Sequence, residues 1–148
     1  MKVKFKLLSP EAIPPRRMTS GAAGFDLYAS DKGEDIFYHL PDGRSIRTRR
    51  YETGVAFEIP GGHVGLLIPR SSICRTGLRL SNSCGIIDSD YRGTVSFVFD
   101  CLAGEMHYRN GERIGQNLFI KLSDVELEEV QELSETERGQ GGYGSTGR

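Results

Sequence analysis

Hydrophobic and polar residues alternate along most of the chain with a period of two. Val3, Phe5 and Leu7 are interleaved with lysines; Val55, Phe57 and Ile59 follow, then Val64, Leu66 and Ile68. Val95, Phe97 and Phe99 form a further set, and Leu118, Ile120 and Leu122 a last one. Successive side chains of a strand point to opposite faces, so each set predicts a strand with one apolar face. Turn chemistry marks the breaks, at Pro14-Pro15, Pro41-Asp42-Gly43, Pro60-Gly61-Gly62 and Asn110-Gly111. No stretch sustains a 3.6-residue period. The prediction is an all-β fold, a sandwich or barrel of short strands.

Length and composition narrow this picture. The 148 residues suit one domain, large enough to form a core without disulfide or metal staples. A net charge of −1 argues against general nucleic-acid binding, which needs a basic excess. The first eight residues alternate and lack the apolar stretch of about 7–15 residues that a signal peptide requires. No apolar run approaches the roughly 20 residues of a membrane span, so a cytoplasmic protein without membrane partners is expected. Cys74, Cys84 and Cys101, with His39, His63 and His107, are scattered without zinc-site spacing, which predicts buried thiols and surface imidazoles.

Three segments stand out. Asp31 to Tyr51 predicts an extended hairpin whose arginines, Arg44, Arg47, Arg49 and Arg50, form a solvated face. Seven acidic residues between Asp124 and Glu137 predict another. The last stretch, 138–148, holds five of the chain's 19 glycines. It contains a formal G-x-G-x-x-G, yet the chain ends four residues later, so no dinucleotide-binding helix can follow. A P-loop fails equally, because Ser145 stands where lysine is needed. Two readings stay open from composition: a mobile terminus, or a lid in which backbone amides, Arg138, Ser145 and Thr146 wrap phosphates while Tyr143 stacks on a base.

Five segments occur in order: Ala23-Gly24-Phe25-Asp26-Leu27-Tyr28-Ala29, Pro69-Arg70-Ser71-Ser72, Gly85-Ile86-Ile87-Asp88-Ser89-Asp90-Tyr91-Arg92-Gly93, Gly111-Glu112-Arg113-Ile114-Gly115-Gln116, and the glycine-rich tail. Together they resemble the five motifs of the trimeric dUTPase family, deoxyuridine triphosphate nucleotidohydrolases, over nearly the whole chain. The resemblance implies a jelly-roll-like β-barrel domain over residues 1–137 and a mobile lid at 138–148. It implies a homotrimer with active sites shared between subunits, and Mg2+-assisted hydrolysis of dUTP to dUMP and pyrophosphate, lowering dUTP and supplying dUMP for thymidylate synthesis.

By the same resemblance, Asp88 is the catalytic carboxylate that bonds the sugar 3′-hydroxyl and orients the attacking water. Tyr91 packs beneath the deoxyribose. The backbone of Gly85, Ile86 and Ile87 reads uracil, with Asn82 beside it. Arg70, Ser71, Ser72 and Gln116 bind phosphates, completed by Arg138, Ser145 and Thr146, with Tyr143 stacking on the base. Asp26 lies near the metal and acts through water. Three departures appear: Tyr143 in place of the commoner Phe, Asn117 where an apolar residue is usual, and the long Asp31–Tyr51 segment. A dCTP deaminase-like enzyme and a dUTP-sensing regulatory protein are the alternatives.

Overall fold

The computed structural model of the chain describes residues 1–102 and 107–142. The alternating segments become ten antiparallel strands in three sheets. β1 (Lys4–Leu7) pairs only with β5 (Val55–Glu58). A four-stranded sheet takes the order β2 (Phe25–Tyr28), β10 (Arg113–Lys121), β6 (His63–Ile68), β8 (Gly85–Ile87). The other takes the order β3 (Glu34–His39), β4 (Ser45–Glu52), β9 (Ser96–Cys101), β7 (Leu78–Leu80). A short 3₁₀ helix, Ser71–Arg75, leads from β6 toward β7. Among the described residues no helix is long and apolar enough to cross a membrane.

The two four-stranded sheets share one core. Leu27, Leu67, Ile87 and Ile114 enter it from one sheet, and Tyr51, Leu80, Phe97 and Phe99 from the other. Gly115 of β10 packs directly on Phe97 of β9: a Cβ there would run into the Phe97 ring. Glycine at 115 is therefore a condition of the sheet spacing. The fold is jelly-roll-like, but among the described residues the two sheets are not hydrogen-bonded into a closed barrel.

Alternation predicted the buried sets of β5 and β9; in β6 and β10 the predicted sets lie on the outer face, where Val64 alone is buried. Gly65, Leu67 and Asn117 turn inward, whereas Leu66, Ile68 and Leu118 lie half-buried on the outer face and Ile120 is exposed. Leu66-Leu67-Ile68 is continuously apolar, so its period does not choose a face. In β10 a polar residue, Asn117, occupies the inward position and hides the pattern. β1 is exposed at all four positions. Nor are the thiols buried as expected: Cys74 sits exposed on the surface 3₁₀ helix, and Cys84 and Cys101 are half-buried.

The predicted hairpin is present as β3 and β4, in register from Glu34↔Arg50 to His39↔Ser45. Its arginines are neutralised locally. Asp35 pairs with both Arg47 and Arg49, Glu34 with Arg50, and Asp42 with Arg44. That pairing removes the positive field a nucleic acid would need. The acidic segment after β10 runs exposed and without regular structure to Glu137.

Candidate active site

The chain assembles its candidate residues in two places. The first is a cleft of about 240 Å³ beside β8, and six expected residues line it together: Asn82, Gly85, Ile86, Ile87, Asp88 and Tyr91. Local structure explains the convergence. β8 is the edge strand of its sheet, paired only with β6 through Gly65↔Ile87 and Leu67↔Gly85. Half of its backbone donors and acceptors therefore face away from the sheet and are open to a ligand. Ahead of it, a tight turn with Ser83 at φ 60° brings Asn82 back over the strand. Behind it, the Asp88 carbonyl accepts from Tyr91 N–H at 3.2 Å, which turns the chain and leaves the Asp88 carboxylate exposed at the rim. Tyr91 Oη donates to the Thr94 carbonyl at 3.0 Å, which fixes the ring at the base of the cleft. Thr94 and Ser96, not anticipated, complete the wall.

The second place is the outer face of β2 and β10. Asp26 points outward from β2, opposite Gln116 in register, yet its side chain is only 3% exposed because other side chains cover it. Gln116 Nε2 donates to Asp26 Oδ1 at 2.7 Å, and Arg113 Nη1 donates to Oδ2 at 3.0 Å. Arg70 Nε stands 3.8 Å from the same Oδ2, and Arg70 Nη1 reaches the Arg113 carbonyl at 3.4 Å. Ser71 and Ser72 follow Arg70 at the exposed start of the 3₁₀ helix, whose turn is closed by Ile73 N–H onto the Arg70 carbonyl. A cleft of about 580 Å³ opens here, lined among the described residues by Arg70, Arg109 and Arg113 and by Glu112, with Asp26 buried behind Arg70 and Arg113. The chemistry is that of an anion site.

Arg113 was not among the expected site residues, although it lies in the fourth segment. Arg113 and Gln116 are three positions apart, which in a regular strand places them on opposite faces. The register of β10 against β2 shifts between Arg113 and Gly115, a β-bulge, and the extra residue returns both side chains to one face.

Among the described residues the two places share no lining residue, and no arginine lines the β8 cleft. Arg138 belongs to neither: its Nε donates to the Gly141 carbonyl at 2.8 Å, folding the chain onto itself. Tyr143, Ser145 and Thr146 lie outside the described residues.

Asp26 was expected near magnesium. Among the described residues no group of three or more His, Cys, Asp or Glu comes together as a metal site. The Asp26 carboxylate is already shared by Arg113 and Gln116. These residues do not make a cation cage. They fit magnesium only as a companion of a polyphosphate, reached from the remaining lone pairs of Asp26 through water.

Sequence and fold comparisons then decide the family. A dUTPase family model matches residues 10–147. The chain belongs to the dUTPase family. It is 39% identical over 150 residues to the deoxyuridine 5′-triphosphate nucleotidohydrolase of Nautilia profundicola, covering all of both chains. The enzyme of the same name from Escherichia phage T5 is 39% identical, with 98% of each chain covered. Among solved structures, a G164S mutant of the Staphylococcus bacteriophage 80alpha dUTPase with dUpNHpp superposes at a TM-score of 0.80, with 26% identity and 99% of both chains covered.

Proposed function

We propose that the chain hydrolyses dUTP to dUMP and pyrophosphate, with residues 1–137 as the catalytic domain and residues 138–148 as a lid. The observation that carries this reading is the single cleft gathering Asn82, Gly85, Ile86, Ile87, Asp88 and Tyr91. Uracil is read by the free edge of β8 with the Asn82 amide beside it. Cytosine would set its exocyclic amine against a donor, and an unpaired buried polar group costs about 1–3 kcal/mol. The Tyr91 ring supports the deoxyribose and leaves no space for a 2′-hydroxyl.

Asp88, exposed at the rim, bonds the 3′-hydroxyl and holds the attacking water in line. The water oxygen bonds to the α-phosphorus as the bond to the bridging oxygen of pyrophosphate breaks. The water's proton passes to Asp88 or, through it, to solvent. Arg70, Ser71, Ser72 and Gln116 hold the phosphate chain and stabilise charge on the leaving group, with Arg138, Ser145 and Thr146 completing the shell and Tyr143 stacking on the base. Magnesium would supply charge neutralisation on the phosphates, and Asp26 would hold it through water.

Three features support shared sites in a homotrimer. The nucleoside cleft and the anion cluster are separate in one chain. The outer face next to Gln116 is an apolar stripe in which Ile68, Leu66 and Leu118 are half-buried and Ile120 is exposed. The acidic arm exposes Leu127 by 92% and Leu133 by 87%. Its alternation, Val125-Glu126-Leu127-Glu128, complements Lys4-Phe5-Lys6-Leu7 on the open edge of β1. These surfaces suit burial between copies of the chain.

The test is pyrophosphate release from dUTP, dCTP, dTTP and UTP, with and without magnesium. Release from dUTP alone, stimulated by magnesium, supports the reading. Ammonia from dCTP without pyrophosphate from dUTP overturns it.

A further inference from the structure

Gly93 lies two residues beyond Tyr91 and has no conformational reason to be glycine. Its backbone is not left-handed, so any residue could adopt its φ. What a side chain there would have to displace is the Tyr91 ring. A Cβ at 93 would run into Tyr91 Oη and stand 2.6 Å from Cζ and 3.0 Å from Cε2. The far end of the Tyr91 ring therefore rests on the bare Cα of Gly93, while its hydroxyl is held by the Thr94 carbonyl. The near end is fixed by the Asp88–Tyr91 turn. Packing on Gly93 and the Thr94 hydrogen bond thus seat the ring of a residue that is 44% exposed and lines the cleft.

A steric gate discriminates only as strongly as it resists being moved. A ribose 2′-hydroxyl pressing on a freely swinging tyrosine would displace it at little cost. The same hydroxyl pressing on a ring backed by main chain has no such escape. We infer that Gly93 is a positioning residue for sugar selectivity: its missing side chain seats Tyr91 at the height that admits deoxyribose and rejects ribose. The inference rests on the dUTP-hydrolysing reading above and assigns selectivity in it to a residue that touches no substrate.

The experiment compares kcat/KM for dUTP and UTP in the full-length parent, Gly93→Ala, Tyr91→Phe, Tyr91→Ala and the double variants. Gly93→Ala is expected to lower the dUTP-to-UTP ratio at least about tenfold, through a raised KM for dUTP more than through kcat. Tyr91→Phe removes the atom that a Cβ would meet first. Adding it to Gly93→Ala is therefore expected to restore at least about threefold of the lost ratio but not all of it, because Cζ still stands 2.6 Å from the Cβ position. In the Tyr91→Ala background, Gly93→Ala is expected to change the ratio by less than about twofold. An unchanged ratio in Gly93→Ala overturns the inference, as does an equal fall with and without the tyrosine ring. If Gly93→Ala does not fold, the comparison of Tyr91→Phe with Tyr91→Phe/Gly93→Ala decides, and a ratio unchanged between them is equally fatal. A parent that releases no pyrophosphate from dUTP refutes the underlying function instead, so the two failures are distinct.

Discussion

Asp26→Asn is the most demanding single test of the anion cluster. The substitution keeps the shape of a side chain that is 3% exposed but removes its charge and one of its two acceptor oxygens. In the parent, Oδ1 accepts from Gln116 and Oδ2 accepts from Arg113. An asparagine oxygen can serve one of these donors, and its amide must then face the other. One charge-assisted hydrogen bond is lost, worth about 1.5–3 kcal/mol. The attraction to Arg70 is lost as well, but at 3.8 Å and with Arg70 26% exposed it is largely screened. Breaking a buried ion pair typically costs about 3–5 kcal/mol, and solvent access to both arginines places this one at or below the low end. The expected destabilisation is therefore roughly 2–3 kcal/mol, read by urea unfolding at fixed protein concentration. Released from Asp26, Arg113 and Gln116 no longer hold one geometry, so KM for dUTP is expected to rise at least about tenfold. A variant within about 0.5 kcal/mol of the parent, with unchanged KM, would show that Asp26 organises nothing, whatever the distances suggest.

Three further outcomes are expected. Asp88→Asn lowers kcat by at least about a hundredfold, with dUTP binding measured calorimetrically changed only a few-fold, and normal turnover removes Asp88 from the chemistry. Truncation after Glu137 leaves the unfolding midpoint unchanged and reduces kcat/KM by about a hundredfold or more, whereas a fully active truncated chain means that the tail is no lid. Asn117 is wholly buried and its Oδ1 has no partner among the described residues, so Asn117→Leu is expected to stabilise the fold by about 1 kcal/mol; a loss of that size in thermal unfolding shows that the oxygen is satisfied after all.

Legibility in the sequence depended on how locally each feature is built. The resemblance singled out Asn82 to Tyr91, and their meeting in one cleft has a local cause: they are contiguous, and a short strand with a turn at each end is enough to bring them together. The β3–β4 hairpin was readable for the same reason, with Pro41-Asp42-Gly43 at its tip. Arg113 was not readable, because its face is set by a bulge that alternation counts through as if it were regular strand. The inward face of β10 was masked by a buried asparagine, and that of β6 by an unbroken apolar run. Gly93 and Gly115 were visible as letters, but the rings that exclude a Cβ there come from the folded chain.

The separation of the nucleoside cleft from the anion cluster has a genetic consequence. If each working site joins the cleft of one copy to the cluster of another, then two inactive chains are complementary. A copy carrying Asp88→Asn still offers an intact Arg70 cluster, and a copy carrying Arg70→Ala still offers an intact Asp88. Unfolded together and refolded at equal amounts, the mixture regains about a quarter of parental activity, because about one junction in four pairs two undamaged halves. Sites contained within single chains would leave the mixture as dead as its parts.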